Sequence, residues 1–448
     1  ARIGAINSSF DDITVRLSKG ELSPAIKALN ELSASLLPSE SDINGCLAAW
    51  SLSVQFSPDH VQLDSPNAAI VLTGMYPIES RSPITLWTEL SAQGTAPLSI
   101  KPQMHKLPAS TSTVAIIRLP LAPVFTKGAD MALVNVAFWA EEPVESRQFL
   151  FSRSDPAVLT RPMDERLKQL RTNRNMDAAY TRSLAICKER VDLFSLPRNP
   201  ERSAQFLLNI PHHQSEIRHE LKLLTSGLNP YRDKGGDFYR PLIPSSGAAP
   251  IPCRIYFPAE LVRGHDGFPL VITLCDSGGD ESIFFNLGDG EIKRLANQHQ
   301  LIVVSPLPSD RIATPSALDE IISQLVADYA VDTSRIYLIG HGSGARLAAT
   351  LAQNASSKLA GVVCFSTPDC LADTRAPIAP MLLFGGDLDR ITPPPKTAKQ
   401  VKPLRDSGLP IEFRQIKNYG HTLIVGAKLN DAIDWLMLKK LGSAPANP

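Results

Sequence analysis

From residue 251 onward, short apolar runs alternate with amphipathic segments, and no other feature of the chain restricts its fold as much. The runs Cys253–Phe257, Leu270–Leu274, Leu301–Ser305, Ile336–Ile339, Gly361–Phe365, Met381–Phe384 and Ile411–Ile416 have strand length. Between and after them lie helical stretches at Glu291–His299, Ala317–Tyr329, Ala345–Gln353, Thr397–Asp406 and Ala427–Lys440. In the second, Leu318, Ile321, Ile322, Leu325, Val326 and Tyr329 make one apolar stripe. Strands that are apolar along their whole length need cover on both faces, and the intervening helices supply it. The pattern predicts an α/β fold with a doubly wound, mostly parallel sheet and right-handed crossovers.

The rest of the chain reads differently. Residues 1–55 carry leucines and Ile26 at roughly helical spacing, punctuated by Pro24 and Pro38. Residues 56–158 break into short β-rich runs: Ala69–Thr73, Ile84–Leu90, Thr113–Leu119, Met131–Ala140 and Gln148–Ser152. Many short strands separated by Pro, Ser and Gly predict a small β-sandwich-like domain. Residues 159–227 return to charged helical segments and read as a connector. There His212, Glu216, His219 and Glu220 could share one helix face; a solvated charged face is the reading preferred over a metal site. The last domain is then 228–442, with a tail at 443–448.

Lys+Arg and Asp+Glu both number 45. That balance gives no reason to expect a nucleic-acid partner. The longest apolar stretch, Ala115–Phe125, is interrupted by Arg118 and prolines, so no membrane span is expected. The six cysteines (46, 187, 253, 275, 364 and 370) form no CxxC pair. They suggest neither a zinc site nor a disulfide scaffold. The sequence calls for no cofactor and no metal.

Sites in doubly wound sheets lie beyond the carboxyl ends of the strands. After Ile336–Ile339 comes Gly340-His341-Gly342-Ser343-Gly344, running into a helix. After Met381–Phe384 comes Gly385-Gly386-Asp387-Leu388-Asp389-Arg390-Ile391-Thr392-Pro393, and after Ile411–Ile416 comes Asn418-Tyr419-Gly420-His421. After Leu270–Leu274 comes Cys275-Asp276-Ser277-Gly278-Gly279. Elbow, acid and histidine, each at a strand end and in that order, resemble the α/β-hydrolases. The lead-in Leu228-Asn229-Pro230-Tyr231-Arg232 through Pro252–Pro258 looks like a bacterial prolyl-oligopeptidase-like or esterase-like group, many of them secreted. The resemblance covers about the last half of the chain. It implies serine-hydrolase ancestry and favours an extracytoplasmic location, periplasmic or secreted. It also implies Asp389 as triad acid, with Asp387 second, His421 as triad base, and residues 275–277 as the oxyanion loop.

Two departures stand against catalysis. The nucleophile position is Gly342, with Ser343 one residue late, in the first helical turn. Cys275 and Asp276 replace the family's His-Gly in the oxyanion loop, and a carboxylate beside a developing oxyanion is unfavourable. The expected function is therefore an inactive or impaired hydrolase homologue, serving as a binding or structural subunit that meets protein partners through its N-terminal domain. The alternative is an active serine esterase or peptidase using Ser343 with His421 and Asp389. It requires Ser343 Oγ within hydrogen-bond reach of His421. A Cys275–His421 thiol–imidazole dyad is a further arrangement to test. A knock-out introduced at a native serine would explain Gly342 but not Cys275-Asp276.

Overall fold

A computed structural model describes residues 2–38, 43–57, 67–76, 84–93, 98–107, 114–120, 131–139, 143–152, 156–172, 177–195, 203–204, 210–245, 247–258, 267–308, 312, 314–367 and 378–442. Cys370 and the tail at 443–448 lie outside them. The chain divides into two compact units, one of residues 12–162 and one of residues 1–11 with 163–448.

The smaller unit holds the end of α1 (Arg2–Ser18) from Asp12, then α2 (Leu22–Ala34), α3 (Ile43–Trp50) and seven strands. The strands are β1 (Leu52–Ser57), β2 (Asn67–Gly74), β3 (Ile84–Gln93), β4 (Leu98–Leu107), β5 (Val114–Pro120), β6 (Met131–Trp139) and β7 (Pro143–Ser152). They form two antiparallel sheets, ordered β1-β2-β5 and β4-β3-β6-β7. The sequence reading had no strand at β1, whose first four residues it placed in the helical segment, and none at β4. That segment carries Pro102 and lies at a sheet edge, where a missing backbone N–H is tolerated.

The larger unit holds the start of α1, the part of α4 (Pro156–Arg171) from Met163 on, α5 (Ala178–Ser195) and α6 (Ile210–Thr225). Its sheet has eight strands: β8 (Gly236–Tyr239), β9 (Cys253–Phe257), β10 (Phe268–Leu274), β11 (Ile302–Pro306), β12 (Val331–His341), β13 (Gly361–Phe365), β14 (Met381–Gly386) and β15 (Ile411–Ile416). The helices are α7 (Ile283–Asn286), α8 (Glu291–His299), α9 (Pro315–Asp328), α10 (Ser343–Asn354), α11 (Pro394–Asp406) and α12 (Leu423–Met437). The order is β15-β14-β13-β12-β10-β11-β9-β8, parallel from β15 to β11 and antiparallel at β9 and β8. This is the α/β architecture expected from the alternation. β8, a four-residue edge strand, was too short to show a period.

Alternate residues of the central strands feed two separate cores. Leu270, Ile272, Ile336, Leu338, Val362, Cys364, Met381 and Leu383 pack on one face. Val271, Tyr337, Ile339, Val363, Phe365, Leu382 and Phe384 pack on the other. With each large apolar side chain contributing about 1.5–3 kcal/mol on full burial, both faces anchor the sheet. The chain winds outward in one direction from β10 to β11 and in the other from β12 to β15. The carboxyl ends of β10 and β12 are therefore neighbours at the switch point, where open α/β sheets place their ligands.

Candidate functional site

β12 delivers the chain to a tight turn from which α10 starts at Ser343. Gly342 sits there at φ 57° and ψ −119°. Glycine adopts this conformation freely, whereas another residue would be strained by about 1–3 kcal/mol. The glycines on either side are dictated by crowding. A Cβ at Gly340 would lie 2.5 Å from Ala345 Cα, and one at Gly344 would lie 2.1 Å from the Leu274 carbonyl oxygen. The turn has the strand–turn–helix geometry of a nucleophile elbow.

The loop after β10 closes over it. A Cβ built on Gly342 would stand 2.3 Å from Asp276 Cγ and 2.4–2.5 Å from its two oxygens. The volume that a nucleophile's side chain takes in an active elbow is thus filled by the Asp276 carboxylate. Asp276 Oδ1 accepts the backbone N–H groups of Ser343 (2.7 Å) and Ser277 (2.8 Å). The first of these follows the nucleophile position and opens a twelve-residue helix. It is the donor that stabilises the oxyanion in this fold, reinforced by the positive helix end. Asp276 Oδ2 lies 3.3 Å from His421 Nε2. One carboxylate therefore touches Gly342, the Ser343 N–H and His421 together.

The other half of the site is ordinary for the fold. Asp389, buried after β14, lies 3.0 and 3.2 Å from His421 Nδ1 through its two oxygens. It also accepts the N–H groups of Ile391 (3.0 Å) and Thr392 (2.7 Å). Asp387 is exposed and instead accepts the N–H of Asn418 at 2.6 Å. His421 is 2% exposed and stands between two carboxylates. Burial works against its charge, but the hydrogen bonds and negative charges of Asp276 and Asp389 outweigh that and raise its pKa to about 9. Asp276 is itself partly buried, which favours the neutral acid. The bond from His421 and the Ser343 donors prevail and hold its carboxyl well below the usual range. His341, fully buried and next to the His421 ring at 4.8 Å between centroids, is pushed down to about 4, chiefly by burial.

Ser343 Oγ accepts the Ser277 N–H at 2.7 Å and also bonds Asp276, while His421 Nε2 faces Asp276. Cys275 is buried, with its thiol donating to the Asp280 carbonyl at 3.1 Å and its pKa raised to about 12 by burial and Asp280. It meets Asp280, not His421, because it points away from the loop's exposed side into the core that holds Phe284 and Phe285. The charged face of α6 is not solvated throughout: Glu220 is buried and pairs with Arg190, with Lys234 at 2.9 Å and with Tyr231 Oη at 2.9 Å. Glu216 joins Lys234 at 3.3 Å and His213 at 3.2 Å. These acids serve an internal ion network.

One residue had no sequence signal. Asp11, on the first helix but within the larger unit, accepts the backbone N–H of His421 (2.8 Å) and of Arg390 (3.2 Å). Asn7 Nδ2 donates to the Asn418 carbonyl at 2.7 Å. The acid loop and the histidine loop are thus tied together by a residue 379 and 410 positions away from them. No motif spacing could have pointed to it. Among the described residues no helix is long and apolar enough to cross a membrane.

No protein-family model matches the chain, and no curated protein matches it in sequence. Solved structures do. An S-formylglutathione hydrolase from Staphylococcus aureus shares 14% identity, with a TM-score of 0.39, over 46% of this chain and 98% of its own. An S-formylglutathione hydrolase from Agrobacterium tumefaciens shares 16%, with a TM-score of 0.37, over 47% and 98%. A thermophilic esterase from Thermogutta terrifontis shares 16%, with a TM-score of 0.37, over 48% and 95%. The sheet order, the elbow at the switch point and the order of acid and histidine loops give residues 236–437 the α/β-hydrolase fold.

Proposed function

We propose that this protein is an α/β-hydrolase homologue that has lost acyl-transfer chemistry and serves as a binding or structural subunit, with the unit of residues 12–162 meeting protein partners. The observation that carries the reading is the Asp276 carboxylate. It lies in the space of the missing nucleophile side chain, on the N–H that would hold an oxyanion, and against the base nitrogen of His421. An ester carbonyl would have to displace an anion from an ion pair before its oxygen reached that donor. The developing negative charge would then sit beside the displaced carboxylate, which is costly in a partly dry site. His421, held protonated at neutral pH, has no free lone pair with which to activate a hydroxyl.

The competing reading, an active enzyme with Ser343 as nucleophile, needs Ser343 Oγ to leave its bond to the Ser277 N–H and His421 to leave Asp276. A fluorophosphonate probe separates the two. Wild-type protein is expected to remain unlabelled, as are the Ser343→Ala and His421→Ala variants. Labelling of the wild type that disappears in both variants would establish Ser343 as a working nucleophile and overturn the proposal.

A further inference from the structure

We propose that Asp276, His341 and His421 form a binding site for a divalent metal ion of the zinc type. One donor atom from each residue lies within 4.8 Å of the other two, and no other group of three or more such residues comes together this closely among the described residues. Two imidazoles and a carboxylate are a donor set that suits zinc and its first-row neighbours; magnesium and calcium prefer oxygen alone. Metal–ligand bonds of about 2.0–2.1 Å in a tetrahedron put ligand atoms roughly 3.3–3.4 Å apart. His421 Nε2 and Asp276 Oδ2 already stand 3.3 Å apart. The His341 donor atom lies within 4.8 Å of both, so ligation would draw it inward to complete the face, with water as the fourth ligand.

The surroundings are those of a metal-ligating histidine. Asp389 holds His421 Nδ1 at 3.0 Å, the carboxylate–histidine contact that fixes the ring and directs Nε2 at the ion. His341 Nε2 lies 3.1 Å from the His421 carbonyl, which orients the second ring. The Asp276 side chain, partly exposed, gives access from solvent. On binding, the ion takes the place of the proton on His421 Nε2, which leaves to solvent.

This assignment gives one cause to both departures at the elbow. A side chain at position 342 and the Asp276 carboxylate claim the same space, at 2.3 Å separation. A serine nucleophile and this ligand therefore exclude each other, and Gly342 is the residue that lets Asp276 in. The proposal stands whether or not the protein hydrolyses anything.

The test uses the full chain stripped with a chelator and titrated with Zn²⁺ by calorimetry, and with Co²⁺ by visible absorption. One ion per chain is expected, with the strong visible bands of a low-symmetry four-coordinate cobalt site. Asp276→Ala should weaken binding by more than the roughly 10–100-fold that loss of a supporting contact costs, and Asp389→Asn by about 10–100-fold. His212→Ala, on the exposed ring beside Glu216, should leave affinity unchanged. Absence of saturable uptake overturns the site. So does uptake unchanged by Asp276→Ala, or uptake lost in His212→Ala. Circular dichroism of Asp276→Ala confirms that any loss is not unfolding.

Discussion

The two halves of the candidate site are built differently. On the acid and histidine side, Asp389 grips His421 as in a working triad, and Asp11 braces both loops from below. On the elbow side, the tight turn carries Gly342, with no side chain, and a carboxylate from the facing loop fills the space beside it. His421 thus has a carboxylate on each ring nitrogen, a closed carboxylate–imidazole–carboxylate chain.

The sharpest way to break the comparison is to rebuild the elbow side. Gly342→Ser alone should fail: its Cβ would collide with Asp276, and the positive φ adds strain. Overpacking of about 1–3 kcal/mol and backbone strain of about 1–3 kcal/mol combine to roughly 2–6 kcal/mol of lost stability. Adding Asp276→Gly removes the collision and frees the Ser343 N–H. The double variant should be relieved of the overpacking but keep the backbone strain and lose the hydrogen bonds of Asp276, and it should become labelled by a fluorophosphonate probe, with labelling dependent on His421. If the single variant folds normally and labels without help, Asp276 does not block the elbow.

Much of this was legible in the chain. The alternation after residue 251 required a covered parallel sheet, and reading the residue after each strand located Gly342, Asp389, His421 and Asp276. The sequence showed Asp276 as an unfavourable charge in the oxyanion loop. It could not show that this carboxylate reaches across to Gly342, since the contact joins loops 66 residues apart through the adjacency of β10 and β12. The contacts of Asp11 and the Arg190–Glu220 pairing were invisible for the same reason: each joins segments far apart in the chain. The edge strands β4 and β8 escaped because Pro102 in one and brevity in the other erase the alternation.

Protonation sharpens the comparison next, tested in metal-free protein. His421 has its pKa raised from 6.5 to about 9. A raised histidine stabilises the fold fully below its unfolded pKa and loses that contribution as pH climbs through the folded value. The span corresponds to about 3 kcal/mol, lost between pH 6.5 and 9. Asp276, held low, acts in the opposite sense, with its contribution present above pH 3.8 and lost as pH falls below it. Denaturant unfolding should show the alkaline loss in the wild type and a much shallower one in Asp276→Asn. Equal slopes in both proteins would mean that the Asp276–His421 pair does not hold the proton.

The bracing of the intact half predicts a smaller effect. Asp11→Ala removes the acceptor of two backbone N–H groups, one of them on buried His421. Leaving such a donor unsatisfied costs about 1–3 kcal/mol. Asp11 burial also raises its own pKa, so part of its hold should already fade at mildly acidic pH, as protonation weakens it as an acceptor. Hydrogen exchange should show faster opening at His421 and Arg390, with the amide of Ser343 unaffected. Equal loosening of the elbow would show that the two halves are one cooperative element.

The smallest effect separates the two functional readings most cleanly. Ser343 Oγ accepts the Ser277 N–H, but that N–H also has Asp276 Oδ1 at 2.8 Å. Removing the hydroxyl in Ser343→Ala also removes its bond to Asp276 but leaves no donor stranded, so the cost should be about 0.5–1.5 kcal/mol, the modest net worth of such hydrogen bonds. Asp276→Ala instead strands the N–H of Ser343 on one side and His421 Nε2 on the other, and should cost more. The ratio of the two losses, measured by unfolding at pH 6.5, reports which side chain organises the elbow side. A hydroxyl that mattered as a nucleophile would give Ser343→Ala a large effect on turnover and a small one on stability. A hydroxyl that only helps seat Asp276 would show the small stability loss alone, with metal affinity and pH profile moved in the same minor proportion.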